Sequence, residues 1–282
     1  GRFALCRLHD PDAWKCSRSI SKFITRSNQI LATKIILDFR RVLAETKKKY
    51  AKIRVAQLSD CAFLWSSDAK TVSKAGKFLM REAASRGLLC RGGLAYGDIH
   101  EPNKLNQSLG AFVVGDAVTR AANSESMGKG MRVFTDAETV HHFSESCQHE
   151  VFKELKNSLT GEIVDEWSWY ALSREELGAD KSTMAAALLK LATCHATLRY
   201  SPKLAWSATT TEGLRQISCS IAAVSDHMYE LSGGRSDFGF TVDGLMQSDM
   251  KRSDKTVRIV SKDFARELVA ARSLRRTKSK KG

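Results

Sequence analysis

The chain has 282 residues, of which 43% are hydrophobic, so it can bury the core of one large domain or of a domain with an extension. No apolar run approaches the about 20 residues that span a bilayer, and residues 1–10 lack the apolar core of a signal peptide, so we expect a cytoplasmic protein without a membrane partner. The 45 Lys and Arg exceed the 31 Asp and Glu, and this balance favours polyanionic partners in general.

The cysteines and the basic C-terminal residues bear on disulfide bonds, metal sites and nucleic-acid binding. The seven cysteines include no CxxC pair, which favours reduced thiols over a disulfide framework or a structural zinc site. Residues 272–282 are strongly basic and are typical of a solvated tail. Binding of nucleic acid through this tail stays open as an alternative.

The first predicted elements are a strand and a long helical stretch. Residues 2–8 are short and apolar, and Pro11 stops the strand so that Asp10 stands at its C-terminal edge. Residues 17–50 carry apolar side chains at steps of three and four, which predicts helix. We expect a break near Ser27 and Asn28 that divides this stretch into two helices.

Residues 54–67 form the next pattern, two apolar runs around a single carboxylate. The runs predict two short strands, with Ser59, Asp60 and Cys61 as the tight link between them. A carboxylate at such a tip is held rigidly while its oxygens stay free, as a hard divalent cation requires. The alternative is an ordinary Asp in a turn, where Asp is favoured for local hydrogen bonding.

The remaining patterns alternate between helix and strand up to about residue 173. We predict a helix over 69–86 and a strand over 88–99, whose glycines indicate a bulge or the close approach of another backbone or a ligand. A helix follows from about Ala117, and its start at Gly115 and Asp116 favours a phosphate. A strand over 131–136, a mainly helical stretch over 137–159 and a closing strand or hairpin over 161–172 follow. Beyond residue 174 helix dominates, including 211–231, so we predict an α/β catalytic domain over 1–173 and a helical region over 174–282.

Four of these pieces resemble, in order and spacing, the motifs of class III nucleotide cyclases. They are residues 10–14 after the first strand, 58–61 in the hairpin, the Arg-Gly-Gly-Leu-Ala-Tyr-Gly run at 91–97, and Gly-Asp-Ala-Val-Thr-Arg-Ala-Ala-Asn at 115–123. The variant with Ser-Asp in the hairpin looks most like the Pycsar pyrimidine cyclases of bacterial antiphage defence. The resemblance implies a ferredoxin-type α/β core, with a central, mostly antiparallel sheet flanked by helices.

The implied reaction is cyclisation of a nucleoside triphosphate by two-metal catalysis. The 3′-hydroxyl attacks the α-phosphorus while pyrophosphate leaves, and two Mg²⁺ or Mn²⁺ ions about 3.5–4 Å apart assist both oxygens. By the resemblance, Asp10 and Asp60 hold these ions, with Asp12 as the alternative to Asp10. Lys15 and Arg18 either meet the β- and γ-phosphates or are solvated charges at a helix start.

The motifs also depart from the family in ways that bear on charge and base preference. Thr119 and Asn123 stand where class III cyclases carry an Asn and an Arg, and Arg120 is a candidate for the missing positive charge. Purine cyclases place polar residues where this chain has Ala56 and Phe112. With Leu58, and Tyr96 as a further candidate, these residues suit a smaller base, so we expect UTP or CTP as substrate.

The resemblance further implies a homodimer that shares its active sites, because the metal carboxylates and the fourth motif then come from different protomers. It also implies that a separate effector protein reads the cyclic nucleotide. Two alternatives remain open. One is a catalytically silent cyclase-fold protein that binds nucleotide or nucleic acid, and the other is a purine (adenylate) cyclase.

Overall fold

The computed structural model describes residues 2–8, 21–101, 113–156, 161–171, 219–220 and 222–224, with only the backbone of 2–8 and 21–32. Its first half follows a βαββαβ order. The elements are β1 (Arg2–Leu8), α1 (Ser21–Lys49), β2 (Arg54–Leu58), β3 (Cys61–Ser66), α2 (Ala69–Ser85) and β4 (Cys90–Gly93). Their strands pair antiparallel in the order β2-β3-β1-β4. This is the ferredoxin-type arrangement, and it confirms the predicted fold class.

The second half of the described chain widens this sheet. Its elements are β5 (Ala95–Gly97), α3 (Asp116–Ser126), β6 (Val133–Thr135), α4 (Ala137–Ser146), β7 (Phe152–Lys156) and β8 (Ile163–Trp167). Strand β5 continues beside β1, while β6 lies parallel to β4 and is followed outward by β8 and β7. The sheet is therefore antiparallel except at the junction of β4 and β6.

The helices pack on opposite faces of the sheet. Successive side chains of a strand point to opposite faces. In β3, Leu64 belongs to the main core with α1 and α2, whereas Trp65 belongs to a smaller cluster with Ala117 and Ala121 of α3. Helix α3 approaches closely, because a Cβ on Gly93 of β4 would collide with the carbonyl of Ala121. The predicted close approach at this glycine-rich strand is confirmed.

Three of the predicted elements differ from the observed ones. The strand predicted over 88–99 is two strands, β4 and β5, whose pairings with β1 differ in register by one residue. The break expected near Ser27 and Asn28 is wrong, because α1 runs unbroken from Ser21 to Lys49. Burial of Phe39 and Val42 anchors its second half in the core, and tertiary packing overrides the weak helix propensity of Ser and Asn. The mainly helical expectation for 137–159 holds for α4 but is wrong for β7, which pairs antiparallel with β8.

A short segment from far along the chain packs into this core. Residues 219–220 and 222–224, which we term the docked segment, are helical and lie inside the stretch 211–231 predicted as helix. Ala223 and Val224 belong to the main hydrophobic core and are 2% and 0% exposed. The division into domains at residue 173 stays a prediction, and the docked segment shows that the later region contacts the earlier one.

None of the helices in the described part of the chain has the combination of length and apolarity needed to cross a membrane.

Candidate functional site

The hairpin between β2 and β3 presents Asp60 at its tip. Leu58 pairs with Cys61, which leaves Ser59 and Asp60 as a two-residue turn. Ser59 has a φ of 56°, the positive value that such tight hairpin turns require, and its carbonyl accepts a hydrogen bond of 2.9 Å from Gln57 Nε2. Among the described residues, the half-buried Asp60 side chain has no hydrogen-bond or ion-pair partner. The turn therefore fixes a carboxylate whose oxygens remain available.

The C-terminal end of β1 lies beside this tip. Arg7 of β1 pairs with Cys61 on one side and with Arg91 of β4 on the other, so the chain leaves β1 next to Asp60. Asp10 follows Leu8 by two residues, and two residues span at most about 7 Å. The topology thus brings the end of β1, which precedes the first motif in the sequence, to the hairpin tip that carries the second. The predicted residues Asp10, Asp12, Lys15, Arg18 and Phe112 themselves lie outside the described residues.

Asp60 has the donor chemistry for a hard divalent cation. Mg²⁺ and Mn²⁺ prefer oxygen ligands, and a carboxylate without a competing ion pair supplies them. Over the described ranges, His, Cys, Asp and Glu do not gather in groups of three or more that could hold a metal ion. Asp60 therefore fits as one ligand, and a second ligand from Asp10 or Asp12 stays a prediction.

The fourth motif forms the start of α3, and its N-terminus is closed by neighbouring groups. Gly115 caps the helix, and the amide of Ala117 donates to the carbonyl of Asp98 at 3.4 Å. The Asp116 carboxylate in the first turn accepts a hydrogen bond of 2.6 Å from the Asp98 amide. At the predicted phosphate site, the Ala117 amide is therefore already bonded within the chain, and the Asp116 carboxylate places a negative charge in the first turn.

Thr119 and Asn123 lie one turn apart on the exposed side of α3. The Thr119 hydroxyl donates to the Gly115 carbonyl at 3.4 Å. The first turn of α3 lies next to Gly97, which pairs with Arg2 at the opposite end of β1 from Asp60. Within one chain, the fold therefore does not bring Thr119 to the hairpin tip.

Arg120 is held by acceptors of its own chain. Its guanidinium donates to both carboxylate oxygens of Asp136, at 2.7 and 3.0 Å, and to the Tyr96 carbonyl at 3.0 Å, and it forms an ion pair of 2.9 Å with Glu138. The hydrogen bond to Asp136 raises the pKa of Arg120. A phosphate contact, as the sequence predicts, would require Arg120 to leave these partners.

Sequence reasoning missed Asp136, which joins α3 to α4. Asp136 caps α4 by accepting a hydrogen bond of 2.8 Å from the Thr139 amide. Burial raises the pKa of the Asp136 carboxyl, but the bonds from Arg120 and Thr139 outweigh it and lower that pKa overall. An Asp directly before a helical run is an N-cap pattern and marks this role in the sequence.

Of the two β2 residues predicted to line the base pocket, one is buried and the other is exposed. Ala56 is 3% exposed and lies in the smaller cluster beneath α3, together with Trp65 and Ala117. Leu58, two residues further along the same face of β2, is 57% exposed. Of these two β2 residues, Leu58 is thus the accessible one, and it stands two residues before Asp60.

Comparison with known proteins gives structural likeness alone. No family model matches the chain, and no curated protein matches it in sequence. A structure of adenylate cyclases from Trypanosoma brucei in their monomeric state aligns with 60% of this chain and 90% of its own, at 12% identity and a TM-score of 0.42. The catalytic core of a rhodopsin-guanylyl cyclase with converted specificity, in complex with ATPαS, aligns with 59% of this chain and 92% of its own, at 13% identity and a TM-score of 0.41. The adenylyl cyclase CyaB from P. aeruginosa aligns with 63% of this chain and 97% of its own, at 12% identity and a TM-score of 0.39.

Proposed function

We propose that this protein is a nucleotide cyclase that converts UTP or CTP to the 3′,5′-cyclic monophosphate and pyrophosphate. One observation carries the proposal. Asp60 stands without a partner among the described residues at a rigid hairpin tip, beside the strand end that leads to Asp10 and Asp12. The order of the four motifs and the βαββαβ topology support the same conclusion.

The residues of this chain have distinct roles in that reaction. Asp60 and Asp10 would hold Mg²⁺ or Mn²⁺, which activates the 3′-hydroxyl and stabilises the leaving oxygens when bound. Lys15 and Arg18 follow Asp10 and supply positive charge for the β- and γ-phosphates. The hairpin fixes the direction of Asp60 through its tight turn, so little reorganisation is required on binding.

The preference for a pyrimidine rests on the absence of polar side chains at three positions. Ala56, Leu58 and Phe112 offer no hydrogen-bond partner to a purine edge. A site that lacks such a partner discriminates poorly in favour of a base that needs it. We therefore place the base beside Leu58, which is exposed, whereas Ala56 is buried.

A second copy of the chain supplies the fourth motif in this proposal. Thr119 and Asn123 are exposed, and Thr119 lies near the end of β1 opposite to Asp60. A two-fold dimer with head-to-tail faces would bring the Thr119 of one copy to the Asp60 of the other.

The likeness to Pycsar cyclases supports a wider role in this proposal. Residues 1–173 are the catalytic domain, and the product is a cytoplasmic second messenger of antiphage defence. A separate effector protein binds this product.

A catalytically silent binding protein is the second candidate. The observation in its favour is that Arg120, the nearest substitute for the family's Arg, is engaged by Asp136, Glu138 and Tyr96. In this alternative the chain would bind nucleotide or nucleic acid and release no pyrophosphate, because positive charge on the transferring phosphate would be missing.

One assay distinguishes these functions. The full chain is incubated separately with the four ribonucleoside triphosphates and Mn²⁺, and both pyrophosphate and cyclic monophosphate are measured. The proposal predicts product from UTP or CTP that is lost in Asp60→Asn and kept in Asp98→Asn, an exposed aspartate at the other end of the sheet. Product from ATP or GTP would indicate a purine cyclase, and binding without any product would indicate the silent protein.

A further inference from the structure

The docked segment holds the turn that follows α3. The Met131 amide donates a buried hydrogen bond of 2.7 Å to the hydroxyl of Ser220, which is 1% exposed. Gly130 has a φ of 90°, and a Cβ there would lie 2.8 Å from Cys219 Cβ and from the Ser220 amide nitrogen. The docked segment therefore rests directly on the backbone of residues 130 and 131.

The same turn is tied from the other side to the end of α3. Arg91 of β4 donates to the Gly128 carbonyl at 3.1 Å and to Glu125 of α3 at 2.7 Å. Glu125 is 5% exposed, so this ion pair is shielded from water. The backbone from 125 to 131 thus lies between two anchors, Arg91 on the sheet and Ser220 on the docked segment.

We propose that the docked segment is a latch through which the region after residue 173 controls the position of α3. When Ser220 is in place, the turn at 127–131 is fixed and α3 presents Thr119 and Asn123 from a constant position. When the docked segment leaves, the Met131 amide loses its acceptor, while the bond from Arg91 to the Gly128 carbonyl and the bond of 3.1 Å from Trp169 Nε1 to the Met131 carbonyl remain. The consequence for turnover rests on the proposed function, whereas the link between the latch and α3 does not.

The buried setting makes this link selective. A buried amide left without an acceptor is costly, so loss of the Ser220 hydroxyl acts first on residue 131 and its neighbours. The hairpin of β2 and β3 lies on the other side of β1 from β4 and is distant along the sheet. Release of a latch therefore loosens the turn and α3 and leaves the hairpin protected from exchange. Loss of a segment that adds only general stability would loosen the turn and the hairpin alike.

Hydrogen–deuterium exchange on the full chain tests the latch without any substrate. The variants are Ser220→Ala, which removes the acceptor, and Val224→Ala, which trims the buried contact of the docked segment. Ser144→Ala on the exposed side of α4 is the matched control. We expect peptides covering 116–132 to exchange about tenfold faster in Ser220→Ala and Val224→Ala than in Ser144→Ala, with the hairpin unchanged.

Two results would overturn the proposal. One is exchange over 116–132 that stays at the wild-type rate in both latch variants. The other is a uniform rise that includes residues 54–66, because it would show a general loss of stability. For an active cyclase, a second readout is turnover, where we expect a lower kcat at unchanged KM in Ser220→Ala and wild-type values in Ser144→Ala. An inactive wild-type chain would contradict the proposed function and leave the exchange result valid.

Discussion

At the residue scale, the position of Asp60 can be predicted from the sequence, whereas the partners of Arg120 cannot. The position of Asp60 between two apolar runs depends on local turn chemistry, so it could be predicted from neighbouring residues. The pairing of Arg120 with Asp136 depends on the packing of α3 beside β6, which ends directly before Asp136, and nothing near Arg120 in the sequence indicates it. The buried ion pair of Lys77 with Glu150, at 2.9 Å, was missed for the same reason.

The Asp136 carboxylate should stabilise the fold in a pH-dependent way. Its pKa is lower in the folded chain than in the unfolded one, so the contribution is present above about pH 4 and is lost as the pH falls through the folded value. Asp136→Asn keeps a good N-cap but removes the charge that binds Arg120. We expect it to lower the free energy of unfolding by about 1 kcal/mol at pH 7 after allowance for solvent screening.

Urea unfolding at pH 7 and pH 3 measures this effect, with Asp98→Asn as the control. The difference in free energy of unfolding between wild type and Asp136→Asn should be smaller at pH 3, because the wild-type carboxyl becomes protonated as the pH falls. An equal deficit at both pH values would mean that the charge of Asp136 is not what stabilises the fold.

At the element scale, local pattern predicts strands and helices well where a strong signal exists and poorly where packing decides. The hairpin, α2 and β8 lie where the sequence places them. Strand β7 has the sequence FKELK, whose alternating charges carry little strand signal, and its pairing with β8 imposes the extended form. The unbroken α1 shows the converse, since burial of one part of a helix sustains the weaker part.

The pairing of β7 with β8 places two acidic residues directly opposite each other. Glu154 faces Asp165, and burial, followed by the charges of Glu154 and Asp136, raises the pKa of Asp165. Like charges in a cross-strand pair destabilise a sheet. We therefore expect Glu154→Lys to raise the free energy of unfolding by about 0.2–1 kcal/mol at pH 7, measured by urea unfolding.

A double-mutant cycle provides the control for this prediction. In an Asp165→Asn background the gain from Glu154→Lys should become smaller, because the opposing charge is gone. The same gain in both backgrounds would assign the effect to something other than the cross-strand pair.

At the scale of the whole molecule, the order of motifs predicts the architecture but not every long-range contact. The alternation of strands and helices leads to the βαββαβ sheet that is observed. The docked segment was predicted as helix, but its seat on Gly130 and Met131 joins parts of the chain about ninety residues apart. No periodicity in the sequence marks such a contact.

The proposed dimer gives a prediction that belongs to two chains together. Asp60→Ala and Thr119→Ala are each expected to be inactive, because each removes a different half of a shared site. Mixing them should restore part of the activity, since one of the two sites in a mixed dimer then keeps both wild-type residues. Absence of complementation, with exchange of subunits demonstrated, would contradict a shared site.

The central claim is that Asp10 and Asp60 bind the same cations. The most direct measurement is titration of Mn²⁺ into the full chain with 3′-deoxy-UTP, which lacks the attacking hydroxyl, followed by electron paramagnetic resonance. We predict that Asp10→Asn and Asp60→Asn each weaken Mn²⁺ binding by about tenfold or more, while Asp98→Asn binds as wild type. Wild-type Mn²⁺ affinity in either Asp10→Asn or Asp60→Asn would contradict the account.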